Sequence, residues 1–179
     1  TPLQAYGPVG LKKMTKHILA AWDEDIHVRI DGLERQTTKG YKVAVHEFDV
    51  SDGSGGVVYD EDGVRITAIP VIHGNWKQAC GYRIDTPDRS IVISGDTVPT
   101  TSILEASRGV DVLVHEVYPQ SQVAPEIRIG GEAWPSYMRE FHTSDIELGM
   151  LAADARLKLL VLHHIVRQME DDDELLESC

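Results

Sequence analysis

Residues 91–97 read IVISGDT. Ile91, Val92 and Ile93 are β-branched and apolar, the composition of a buried strand, and the run then ends on Gly95 and Asp96. A carboxylate at the tip of a core strand is costly to bury without a partner, so its place is the rim of a sheet. Two other apolar runs end in the same way. Residues 68–72, AIPVI, lead into His73, and residues 159–162, LLVL, lead into His163 and His164. Side chains on the tips of separate strands can converge on one edge of a sheet while the strands hold them rigid. Imidazole nitrogen and carboxylate oxygen are donors that zinc accepts, and one carboxylate can bridge two ions. Gly95 removes a side chain where the backbone must turn, and the hydroxyl of Thr97 is placed to orient the carboxylate. Taken singly, each feature has a plainer reading: a solvated strand-end histidine, or a turn closed by the aspartate side chain. Recurrence on three strands favours convergence.

With 179 residues, 42% of them hydrophobic and 26% charged, the chain is sized for one soluble globular domain with a real core. No apolar run approaches the roughly 18 residues of a membrane span, and no secretory leader is recognisable. Cys80 and Cys179 are the only cysteines, so a disulfide scaffold is not expected and a cytoplasmic setting is. A formal charge of −12 argues against non-specific binding to phosphate backbones. Part of that charge is local: Glu170–Glu177 holds six carboxylates and reads as a solvated helix end or terminus.

Along the chain, Tyr6-Gly7-Pro8 reads as a turn. Leu11, Met14, Ile18, Leu19 and Trp22 then fall on one side of a helix over 9–22, with Lys12, Lys13 and Lys16 on another. Residues 41–50 read as a strand and 51–56 as a loop. Strands at 57–60 and 64–72 are joined by Asp62-Gly63, and strands at 79–85 and 90–95 by Thr86–Arg89. A short helix over 101–108 stops at Gly109, and Val110–Val117 is again a strand. Residues 119–141, with three prolines and little periodicity, read as a covering loop. Ser144 and Glu147 have the spacing of a capping box ahead of Leu148, Leu151, Ala152 and Ala155. Strands first dominate and then alternate with helices, the order of an α/β (α+β) fold with a sheet packed on helices.

The ordered set His73, Gly81–Ile84, Ser94–Thr97, Asp111–Glu116, His142–Ser144 and Leu160–His164 resembles the metallo-β-lactamase superfamily, in its ribonuclease Z-like branch. The Tyr6-Gly7-Pro8 start fits as well, so the likeness covers nearly the whole chain. The fold it implies is the αββα sandwich, of which this chain is the C-terminal portion, a single partial domain over 1–179. By motif, His73 would bind a first zinc ion, Asp96 would bridge two, and His164 would bind the second. His142 would face the reacting group as proton donor or electrostatic aid. Thr97, His163, His115 and Glu116 would support those residues from behind. His17, His27 and His46 have no such context and read as surface residues.

One departure stands out. The family carries a His-x-His-x-Asp-His stretch near its N-terminus, and this sequence has none. The expectation is therefore weak or absent zinc and little hydrolysis from this chain alone, with an uncovered sheet face that a homodimer would hide. For the complete protein the resemblance implies phosphodiester hydrolysis by a metal-bound hydroxide. Only Ile84–Ser94 separates two motifs where tRNA-processing relatives carry a long arm. A small phosphodiester or ester-like substrate is expected ahead of tRNA. The alternatives are a lactonase, thioesterase or sulfatase-like hydrolase, and a non-catalytic fragment that acts only in association.

Overall fold

Apolar alternation and turn chemistry account for most of the architecture in the computed structural model, which describes residues 1–166. The acidic run Glu170–Glu177 lies outside the described residues. The chain divides into two compact units, Thr1–Asp49 and Val50–Cys179.

In the first unit, β1 (Leu3–Pro8) and β2 (Val43–Phe48) pair in parallel, with Leu3 opposite Val43 and Pro8 opposite Phe48. Tyr6-Gly7-Pro8, expected as a turn, is thus the end of a strand. β2 supplies the ladder, and Pro8 sits at the terminus, where a missing N–H is tolerated. The connection holds two helices, α1 (Leu11–Ala21) and α2 (Asp23–Asp31). Glu47 closes the start of α1: its Oε1 accepts from the backbone N–H of Gly10 at 2.8 Å and of Lys12 at 2.9 Å. The second helix was not read from the sequence, and it buries no residue. Asp23, Glu24 and Asp25 in its first turn match the helix dipole instead.

The second unit is built on a six-stranded sheet of order β3-β4-β5-β6-β7-β8. Its strands are β3 (Gly56–Glu61), β4 (Val64–Pro70), β5 (Cys80–Asp85), β6 (Ser90–Ile93), β7 (Val112–Val117) and β8 (Leu159–Ile165). The first four form an antiparallel meander, and β6, β7 and β8 run parallel. Asp62 and Gly63, both at positive φ (52° and 76°), make the tight turn of the first hairpin. The parallel crossovers are α3 (Thr101–Ser107) and α5 (Asp145–Ala155). These two helices cover one sheet face, where Ile69, Val92, Leu113, Ile103, Val110 and Leu151 form the buried core. On the opposite face, register places Ile93 beside Val114 and Val161, with Leu159 beside Val112. There Ile93, Val161 and Leu159 remain 36%, 38% and 53% exposed.

Residues 119–141, expected as a loop, contain a further helix, α4 (Trp134–Phe141). Pro135 suits its first turn. Trp134, Tyr137 and Phe141 then stack on one another, with centroids 5.3 and 4.5 Å apart. The capping box is present as read: Ser144 accepts from the Glu147 N–H, and the Glu147 carboxylate accepts from the Ser144 N–H at 3.1 Å. Among the described residues no helix is long and apolar enough to cross a membrane. Ser144→Ala is expected to lower stability by about 1 kcal/mol, measured by urea denaturation.

Candidate functional site: three strand tips and a buried glutamate

Each strand-end residue is delivered by a distinct backbone device. Beyond β4, His73 is followed by Gly74 at φ 52°, where a Cβ would run into the ring of Phe141. The Nδ1 of His73 donates to the Phe141 carbonyl at 2.8 Å. That bond fixes the tautomer and leaves Nε2 free to accept a proton or a cation. Beyond β6, Gly95 turns at φ 64°, where a Cβ would come within 3.0 Å of the Cys80 carbonyl oxygen, and presents Asp96. At the end of β8 the ladder is interrupted. Glu116 pairs with His163 and Val117 with Ile165, so His164 is the extra residue of a bulge, at φ 43°. A positive φ is uncommon for a residue with a side chain, and bulges re-aim side chains next to functional sites. The strand thus does not stop at Leu162 as expected; it runs to Ile165 and ejects His164 from its ladder.

The result is convergence. His164 Nε2 lies 3.4 Å from Asp96 Oδ2. The His142 ring centroid is 5.3 Å from that of His73 and 5.7 Å from that of His164. His73 and Asp96 also line one cleft of about 360 Å3, together with Trp76 and Cys80. Burial pushes the Cys80 thiol above its ordinary range, so it sits there as a neutral group.

Glu116, fully buried on β7, ties these tips together. Its Oε1 accepts from the N–H of Thr97 at 3.0 Å and of Thr143 at 3.2 Å, and from Nδ1 of His142 at 3.3 Å. Thr143 adds a second tie by donating its hydroxyl to the Thr97 carbonyl at 2.6 Å. The Thr97 hydroxyl was expected to orient Asp96. Instead it donates to the Val98 carbonyl at 2.7 Å and accepts from the Ile72 N–H at 3.3 Å. Thr97 therefore positions its neighbour through the backbone.

The other supporting residues separate. By strand alternation His115 points to the face opposite Glu116. It is fully buried, with Nδ1 donating to the Glu116 carbonyl at 2.6 Å. His163 stands beside Glu116 across the ladder. Glu116 Oε2, His115 Nε2 and His163 Nε2 are buried without a hydrogen-bond partner among the described residues. His17, His27 and His46 are exposed, as read. Phe141 and Tyr137 were missed by the sequence reading. Phe141 packs edge-on against His73 at 5.1 Å, and Tyr137 lies 5.7 Å from His142. The i, i+3, i+7 spacing of the α4 aromatics was the available signal.

The fit to zinc is partial. Two donors of a tetrahedral zinc, each at about 2.0–2.1 Å, lie about 3.4 Å apart, the separation of Asp96 and His164. Yet among the described residues no group of three or more His, Cys, Asp or Glu side chains comes together to hold an ion. The donors present make one edge of a coordination shell and leave it open.

A family model described as a beta-lactamase superfamily domain matches residues 9–165, and the chain belongs to the metallo-β-lactamase superfamily. It is 32% identical over 165 residues to the ribonuclease Z of Mycobacterium sp. (strain KMS), a match covering 91% of this chain and 54% of that protein. The chain thus spans about half the length of this curated relative. Human tRNase Z, short form, superposes with a TM-score of 0.63 at 19% identity, over 92% of this chain and 61% of that one. Zn2+-bound PqqB from Methylobacterium extorquens does so at 0.57 and 14%, over 99% and 58%. These two likenesses show the fold.

Two predictions test this arrangement. Glu116→Ala leaves two buried N–H groups and an imidazole without their acceptor, and is expected to cost about 3 kcal/mol. Amide hydrogen exchange at Thr97 and Thr143 should accelerate with it. The second concerns His115, whose imidazole burial holds below its usual range. The unfolded chain takes up a proton near pH 6.5 that the folded one refuses. Stability is therefore intact above about pH 6.5 and declines as pH falls below it, by at most about 1.4 kcal/mol per pH unit from this group. His115→Leu should remove that component from the pH dependence of urea unfolding.

Proposed function

We propose that the chain carries the strand-tip half of the active site of a metal-dependent phosphodiester hydrolase. The observation that carries this reading is the convergence of His73, Asp96, His142 and His164 from four separate segments. The family model runs across the boundary between the two compact units, which supports assigning both to one partial domain.

In this reading His73, Asp96 and His164 would contribute donors to zinc. The ions, when bound, activate a nucleophile and stabilise charge on the group under attack. The shell needs more donors than these residues bring together, so the chain alone is expected to bind zinc weakly.

The chain's own residues supply orientation and a proton. The Glu116 carboxylate accepts the Nδ1 proton of His142. A second proton on that ring must then sit on Nε2, on the side of the ring away from Glu116. A phosphate oxygen or leaving group held among the three histidines would receive its hydrogen bond from that atom. Phe141 and Tyr137 pack beside the two rings and limit water there. The relative named ribonuclease Z supports a phosphodiester over a lactone, thioester or sulfate ester. We assign the exposed face of Ile93, Val161 and Leu159 to a second copy of the chain.

Zinc uptake gives the direct test. The chain should lose most of its zinc on gel filtration, and Asp96→Asn or His164→Ala should weaken what uptake there is. Near-stoichiometric zinc retained by the chain would overturn the open-shell reading. In a zinc-loaded preparation, His142→Ala should lower hydrolysis of a chromogenic phosphodiester by at least about a hundredfold, with zinc uptake unchanged. Faster turnover of a lactone than of the phosphodiester would transfer the assignment to that substrate class. Mass in solution should rise with concentration toward that of a dimer.

A further inference from the structure

The turn that presents His73 also carries a tryptophan. Trp76 closes it: its backbone N–H donates to the His73 carbonyl at 3.1 Å, and the two residues form an isolated antiparallel bridge. The same turn is pinned to α4, since the Gly74 N–H donates to the Glu140 carbonyl at 3.1 Å and the His73 ring to the carbonyl of Phe141. The backbone of Trp76 is thus held in the frame of His73. Its side chain nevertheless stays 69% exposed.

A single exposed apolar residue is ordinary on a protein surface. Trp76 differs in its position. It lines the cleft of about 360 Å3 that holds His73 and Asp96, and also a neighbouring cleft of about 440 Å3 formed with Val50, Pro70, Ile72 and Lys77. Trp76 is therefore the wall common to the candidate reaction site and a second recess. That recess is selective in its chemistry. Among the residues lining it, Lys77 alone is charged, and Ile72 leaves an apolar side chain 56% exposed there. Two of its hydroxyls are engaged inside the fold: Thr100 Oγ1 accepts from the Ile103 N–H at 3.2 Å, and Ser102 Oγ donates to the Pro70 carbonyl at 2.6 Å. A hydroxyl-rich group would compete with those bonds, whereas a flat apolar ring gains by covering the indole.

We propose that Trp76 is a specificity-determining residue, a stacking platform that selects phosphodiesters carrying an aryl ester group. The ring would sit in the second recess against the indole, with the phosphate in the cleft of His73 and Asp96. The inference deepens the phosphodiester reading above and rests on it. An aryl ester is joined to phosphorus through one oxygen, so a wall bordering the reaction cleft is within its reach. An indole on a turn tied down at three backbone carbonyls also loses little freedom when a ring settles on it. An alkyl ester of similar bulk would fill the recess without the stacking gain.

The test is calorimetric titration of the full chain, loaded with zinc, with diphenyl phosphate and in parallel with dibutyl phosphate, which has apolar bulk but no ring. Wild type should bind the diphenyl ester more tightly, and the indole N–H NMR signal of Trp76, assigned by its absence in Trp76→Phe, should shift with it. Trp76→Ala should weaken diphenyl phosphate binding by about three- to tenfold and leave dibutyl phosphate within about twofold. Trp76→Phe keeps a ring and should retain the preference, which separates stacking from any effect on folding. No binding by wild type, equal affinity for the two diesters, or a preference unchanged in Trp76→Ala overturns the proposal. So does equal weakening of both diesters, since Trp76 would then only support the turn. The hydrolase reading fails separately. Ring-selective binding through Trp76 in a protein that hydrolyses no phosphodiester leaves the platform standing and removes the hydrolase. Hydrolysis of aryl and alkyl diesters in the same ratio of kcat/KM by wild type and Trp76→Ala keeps the hydrolase and removes the platform.

Discussion

A carboxylate with no exposure to water organises the candidate site. Burying the Glu116 side chain is costly unless donors surround it, because a buried polar oxygen without a hydrogen bond is penalised. Two backbone N–H groups and an imidazole converge on one of its oxygens. Those donors belong to two loops far apart in sequence, the turn after β6 and the segment before α5. Satisfying that one oxygen therefore fixes the approach of Asp96 and of His142 at once. Geometry that looks like chemistry at the rim is, one layer down, the solution to an electrostatic problem.

The remaining tips reach the same place by different backbone means. Gly74 and Gly95 use the left-handed region at positions where a side chain would meet a ring or a carbonyl. His164 uses the same region without being glycine and accepts the strain, because a bulge in β8 leaves it outside the ladder. Strain concentrated at one histidine, next to a carboxylate at ligand spacing, is the pattern expected where the surrounding fold over-determines a functional side chain.

Much of this was legible in the sequence, for identifiable reasons. The β-branched runs, the Asp62-Gly63 turn and the Ser144–Glu147 box are local signals, and local physics decided them. His73 and Asp96 were legible because polar groups ending apolar strands stand out against their background, whereas that signal left His163 and His164 open and only the family resemblance chose His164. Glu116 was placed among the supporting residues but not as the hub, because its partners come from other segments and no spacing encodes them. β1 was misread because Gly7 and Pro8 look like a turn until a parallel partner is known. α4 was misread because its stabilisation lies in ring stacking rather than in a buried stripe. The bulge at His164 depends on pairing with β7, which no single strand reveals.

Adjacency of His163 and His164 has an evolutionary side. The backbone of His163 belongs to the β7–β8 ladder and that of His164 stands outside it, so the outer residue can be exchanged while the sheet keeps its register. Replacing the inner one disturbs a packed interior. Two neighbouring positions in this chain are therefore constrained differently, and the outer one can change without renegotiating the architecture beneath it.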